Sequence, residues 1–146
     1  MGYLTNASSL CAEQESEIIS TENGTSHTAF NPKAHTVRHY HIDGDVFPKN
    51  VGTLRCDYLV INDHLQKAYF IELSGSVKIG HATQQLDTTV GMLKPELGTY
   101  QIFRRLIYSS RTTNIKHSQD YKKVLIWKSK RENVVFKKSP FSETIN

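Results

Sequence analysis

The chain has 146 residues, 38% of them hydrophobic, with a formal charge of +4 and a pI near 9.1. That length and apolar content fit one domain with a single core, and the mild basic excess suits a polyanionic partner. No run reaches the roughly 18 apolar residues of a membrane span, and two cysteines, Cys11 and Cys56, are too few for a disulfide framework. No charged stretch followed by an apolar core opens the chain, so no secretory signal is expected and a reduced, cytoplasmic setting is.

Taken in order, residues 1–33 are rich in Ser, Thr, Asn and Glu. Ser8 and Ser9 can cap a helix over residues 8–20, with a loop to residue 33 punctuated by Asn23-Gly24 and Asn31-Pro32. Residues 35–42 favour a strand and Asp43-Gly44-Asp45 a turn; residues 47–53 read as a loop or ragged edge. Residues 55–61 and 67–74 form two strands whose near-continuous apolar character predicts burial on both faces, in a central sheet covered by helices. Ser76 can cap a helix over residues 77–94, striped by Ile79, Ala82, Leu86, Thr89 or Val90, and Leu93; Pro95 ends it or begins a short continuation, and Gly98 closes it. Residues 100–108 predict a strand, with a helix the alternative. A helix follows over 117–130, with Tyr121, Val124, Leu125 and Trp127 inward, then a short strand over 134–136. The organisation is an N-terminal helix and loop (1–33), a core (34–138) and a loose tail (139–146). The fold class is α/β, a mixed central sheet flanked by helices.

Two acids stand at neighbouring strand ends. A hairpin symmetric about residues 62–67 sets Asp57 opposite Glu72 and Arg55 opposite Ser74, with facing Cβ atoms about 4.5–5.5 Å apart. Carboxylates so placed repel unless neutralised, and a divalent cation such as Mg²⁺ or Mn²⁺, with its hard-oxygen preference, does this. The alternative pairs Asp57 with an arginine such as Arg55 and makes Glu72 a strand-end residue. A one-residue slip in register separates the acids onto opposite faces.

Asp57, fourteen intervening residues and then Glu72-Leu73-Ser74 before a helix resemble the PD-(D/E)XK nuclease superfamily, notably small bacterial and phage members. Ile42-Asp43-Gly44, Ser109-Ser110-Arg111 and Tyr121-Lys122-Lys123 extend the resemblance across about residues 35–138. It implies a restriction-endonuclease-like fold and Mg²⁺- or Mn²⁺-dependent phosphodiester hydrolysis. Asp57, Glu72 and the Leu73 carbonyl would be ligands, and a lysine is expected at position 74. Ser74 stands there, and a hydroxyl cannot supply an ammonium's charge. Lys78 reaching back, weak metal-only activity, or binding without catalysis are the three readings that follow. His81 and Gln85 share a helix face. The resemblance points Gln85 at the site and gives His81, with Asp43, a supporting role beside the ligands. Glu13 or Glu17 is a further acid to complete the site.

The basic run Lys116, Lys122, Lys123, Lys128, Lys130, Arg131, Lys137 and Lys138 is a candidate nucleic-acid surface. His35, His39 and His41 on one strand are a lesser transition-metal candidate. No Walker loop, CxxC, HExxH or GxSxG is present. Two functions follow: a metal-dependent nuclease acting on DNA or RNA, or an inactive relative that binds or inhibits a nucleoprotein, a protein partner or a second copy.

Overall fold

The computed structural model describes residues 2–48, 54–75, 79–109 and 118–146. The chain runs β1 (Glu17–Glu22), β2 (Thr25–Phe30), β3 (Val37–His41), β4 (Tyr58–Asn62), β5 (Lys67–Ser74), α1 (Ile79–Leu97), β6 (Gln101–Tyr108), α2 (Gln119–Ser129), β7 (Val134–Lys138) and β8 (Phe141–Thr144). It is a mixed α/β protein with two mixed sheets. The central sheet has the order β3-β4-β5-β6-β7, and the smaller one β1-β2-β8. Strands β3, β4 and β5 form an antiparallel meander; β6 and β7 add in parallel, each after a helix.

The near-continuous apolar runs in β4 and β5 are buried on both faces. Leu59, Ile61 and Phe70 face α1, packing with Leu86, Leu93 and Leu106. Val60, Tyr69, Ile71 and Leu73 face the smaller sheet, packing with Ile18, Ala29 and Ile145. The expectation of helical cover therefore holds for one face; the other is covered by strands, which bury an apolar face as effectively as helices do.

Three expectations need correction. Residues 8–20 form no helix. Instead β1 and β2 make a hairpin closed by Asn23 and Gly24, whose φ angles of 53° and 73° suit a tight two-residue turn. Its buried face is largely polar (Ser20, Thr25 and His27), which hid the strand period. The tail is not loose: β8 pairs in parallel with β2, and Ile145 is fully buried. The inward set of α2 is also different, since Leu125 is 43% exposed while Val124 is buried. Ser118 caps α2, its hydroxyl accepting from the Tyr121 N–H at 3.0 Å.

The smaller sheet is tied to the central one by ionic contacts. Glu143 of β8 accepts two hydrogen bonds from Arg105 of β6, at 2.7 and 2.9 Å, and lies 2.7 Å from His27 Nε2 of β2. The Arg105 guanidinium also lies over the Tyr69 and Phe103 rings.

Candidate functional site

The hairpin register is the symmetric one: Tyr58 faces Ile71 and Asn62 faces Lys67. Regular pairing stops at Tyr58, one residue short of the acid. The Asp57 N–H donates to the Ile71 carbonyl at 3.1 Å, and the Asp57 carboxylate accepts the Leu73 N–H at 2.8 Å. A side chain thus takes over the ladder where β4 has ended. In an extended strand a residue's N–H and C=O point to the same edge, so the Leu73 carbonyl faces this edge too.

The Asp57 and Glu72 carboxyl groups lie close enough for each to perturb the other's protonation. Burial pushes Asp57 up to about 6, against the hydrogen bond from Leu73, and nearby Glu22 adds repulsion. Burial and the Asp57 charge push Glu72 well above the usual carboxylate range. Glu72 is only 6% exposed, and its Oε1 is buried without a hydrogen-bond partner among the described residues. An orphaned carboxylate oxygen in such a place is costly. Shared protonation relieves it in part; a cation relieves it fully.

Helix α1 fixes the approach to Asp57. The Gln85 amide donates to the Arg55 carbonyl at 3.1 Å. The Cys56 N–H donates to Thr89 Oγ1 at 2.8 Å, and that hydroxyl donates to the Gln85 carbonyl at 2.7 Å. Gln85 thus braces the backbone two residues ahead of the acid. Thr89, which spacing presented as a packing residue, shares the task. Arg55 makes no ion pair with Asp57; its guanidinium stacks over Phe47 at 4.3 Å.

The site lies at the carboxyl ends of β5 and β6, where crevices form in sheets of parallel strands. Ser74 is buried there and its carbonyl accepts the Ser109 N–H at 2.9 Å. His81 is exposed on α1, and Asp43 occupies the turn Ile42–Val46 after β3. That turn abuts the site, because the Ile42 N–H donates to the Asp57 carbonyl at 2.8 Å. Lys78 and Lys116 lie outside the described residues.

Sequence reasoning missed Glu22 and the setting of His41. The hairpin brings Glu22, rather than Glu13 or Glu17, within electrostatic reach of both acids. His41 lies 3.6 Å from Glu22 and 3.8 Å from Asp45. The three strand histidines do not converge: His39 Nε2 meets Ser20 Oγ at 2.9 Å, and His35 meets Asn62 at 3.1 Å. Burial pushes His39 down to about 4. Among the described residues no three His, Cys, Asp or Glu side chains surround one metal position. A Mg²⁺ ion needs only one or two carboxylates, with water and substrate phosphate completing its shell. Asp57, Glu72 and the Leu73 carbonyl fit that requirement.

The basic residues divide into two groups. Lys122, Lys123 and Lys130 are exposed on and just after α2, and Lys137 and Lys138 on β7, while Lys128 is half-buried. Arg131 is engaged: it pairs with Asp87 at 2.8 Å and stacks on Trp127, and Asp87 also holds Arg104 and the Trp127 N–H. Helices α1 and α2 approach at their N-terminal ends, where a Cβ on Gly80 would meet Asp120 at 3.2 Å. Lys122 and Lys123 follow in the first turn of α2, at the same end of the sheet as the acid pair.

No protein-family model matches this chain, and neither do the curated proteins or the solved structures compared with it. No helix among the described residues is long and apolar enough to cross a membrane.

Proposed function

We propose that this protein is a nucleic-acid-binding, divalent-metal-dependent phosphodiesterase of the PD-(D/E)XK, restriction-endonuclease-like kind. The observation that carries the reading is the buried contact of Asp57 and Glu72 at the carboxyl ends of the parallel strands, with Glu72 Oε1 unpartnered. Asp57, Glu72 and the Leu73 carbonyl would hold Mg²⁺ or Mn²⁺, which when bound supplies an activated water and charge neutralisation at phosphate. The Leu73 N–H and the brace from Gln85 and Thr89 hold the Asp57 segment in place, so the acids meet a metal preorganised. Lysines on α2 draw the nucleic-acid backbone to this end of the sheet.

Purified protein should cleave DNA or RNA in Mg²⁺ or Mn²⁺ and stop when the metal is chelated. Asp57→Ala and Glu72→Ala should each abolish cleavage, by the loss of a metal ligand. Cleavage undiminished in both variants would sink the reading. One observation favours a second reading, binding without cleavage: Ser74 carries no charge at the position where the superfamily has lysine. Nucleic-acid binding by a wild type inert in every metal would support it.

The basic surface has its own test. The double variant Lys122→Ala/Lys123→Ala should weaken nucleic-acid binding across sequences and reduce the steepness of its salt dependence by about 2 in log K against log [salt]. Arg131→Ala should chiefly lower stability, because that side chain is already paired and stacked. An unchanged salt slope in the lysine variant would remove α2 from the interface.

A further inference from the structure

We infer that Arg55 is an anion-binding residue that takes a backbone phosphate of the nucleic acid; the inference rests on the proposed nucleic-acid binding. What sets Arg55 apart is its lack of a counter-charge. Arg38 pairs with Asp63, Arg104 and Arg131 with Asp87, and Arg105 with Glu143. Arg55 is only 7% exposed, yet it pairs with no carboxylate among the described residues. Its Nε is buried with no hydrogen-bond partner, and Nη1 makes one long bond, to the Pro48 carbonyl at 3.4 Å.

The guanidinium lies over the Phe47 ring, 4.3 Å from its centre, and Phe47 in turn packs on Tyr3 at 4.5 Å. An aromatic face steadies a cation without neutralising it. A buried guanidinium with no counter-charge and a largely unfilled set of donors is unfavourable, for the reason that applies to Glu72 Oε1. An anion relieves it, and phosphate suits it well. Nε and a neighbouring Nη form one edge of a planar fork that can donate two parallel bonds to two phosphate oxygens.

The backbone ties Arg55 to the acid segment. It stands two residues before Asp57, and its carbonyl accepts the Gln85 amide, so the brace that holds the acid's approach holds Arg55 as well. Cys56, between them, is within electrostatic reach of both acids. Arg55 and the acids nevertheless form no ion pair with each other, and Nε and Glu72 Oε1 both stay unpartnered. A nucleic acid carrying a divalent cation brings both missing charges: the ion answers the acids and a backbone phosphate answers the arginine. Arg55 binds in this scheme and takes no part in making or breaking bonds.

The test uses the full chain and labelled DNA and RNA oligonucleotides in Ca²⁺, with the oligonucleotides checked for integrity after each measurement. Arg55→Met keeps an unbranched stem over Phe47 and removes the charge. It should weaken oligonucleotide binding by about 10- to 100-fold, the usual worth of a hydrogen bond to a charged group. It should also lower the slope of log K against log [salt] by about 1. Arg55→Lys keeps the charge and loses the fork, so it should keep the slope and recover part of the affinity. Mn²⁺ binding by Arg55→Met should match the wild type. An arginine that only props the fold gives a different pattern, a lower melting temperature in Arg55→Met with affinity and salt slope unchanged. That result overturns the inference and leaves the nuclease reading standing. Inorganic phosphate separates the two sources of the anion. If it raises the melting temperature of the wild type alone while both proteins bind oligonucleotide equally, the site serves free phosphate and the assignment to nucleic acid falls. A wild type that binds no oligonucleotide overturns the inference and the proposed function together.

Discussion

Glu143→Ala is expected to destabilise the protein by about 3–5 kcal/mol, the usual cost of breaking a buried ion pair from one side. The Arg105 side chain is only 7% exposed, and His27 is fully buried with its Nδ1 already unpartnered among the described residues. Removing the carboxylate strands both partners between the two sheets, and dehydrated charge without a counter-charge is the expensive case. Urea unfolding should show a lower midpoint with a slope near that of the wild type. The pH dependence has a definite sign. Burial alone would raise the Glu143 carboxyl, but hydrogen bonds from His27 and Arg105 outweigh it and hold the group below its ordinary value of 4.5. A depressed folded-state pKa means the stabilisation is present above 4.5 and is lost as pH falls through the folded value. The variant should therefore differ most from the wild type at neutral pH and least in acid. Equal stability at pH 7 would show that β8 is held by its apolar anchors, Phe141 and Ile145, alone.

Asp57→Asn should do the opposite in the absence of metal: it should stabilise the protein at pH 7 and above. Here the folded-state pKa is raised, from 3.8 to about 6, chiefly by burial. Stability is then greatest below 3.8, where the carboxyl is protonated in both states, and declines as pH rises through about 6. Asparagine removes that loss while its carbonyl oxygen can still accept the Leu73 N–H. The gain at pH 7 should be on the order of 1–3 kcal/mol, following the size of the shift. At pH 4 it should nearly vanish. Mn²⁺ should reverse the order: at about 100 times its dissociation constant a bound ion adds roughly 2.7 kcal/mol to the wild type and nothing to a variant that cannot bind it. A variant less stable than the wild type at every pH would mean that Asp57 serves the fold through its hydrogen bonds and carries no strain for a ligand to relieve.

The central hairpin was legible because its composition admits few alternatives. Two apolar runs around a polar turn specify adjacent buried strands, and their symmetry set the register that places Asp57 beside Glu72. The helix stripe from Ile79 to Leu93 was readable for the same reason. The N-terminal hairpin was not, because Ser20, Thr25 and His27 occupy its inward face and a hydrophobic period could not reveal it. Glu22 was consequently lost to the site, although Asn23-Gly24 beside it was the one local signal of a tight turn. Glu143 looked like a tail residue because its partner Arg105 lies 38 positions away in sequence. His41 was noticed only as one of three histidines, since its neighbours Tyr58, Glu22 and Asp45 come from three other segments of the chain. Sequence spacing shows what an element does locally; each missed residue acts across elements.

The central claim is that Asp57 and Glu72 form a cation site. Calorimetric titration of Mn²⁺ into the metal-free wild type, Asp57→Asn and Glu72→Gln tests it without requiring any activity. The expected result is one ion bound to the wild type and a loss of that binding in both variants, each still folded. Binding of equal strength and stoichiometry in all three proteins, or none in the wild type, would contradict it.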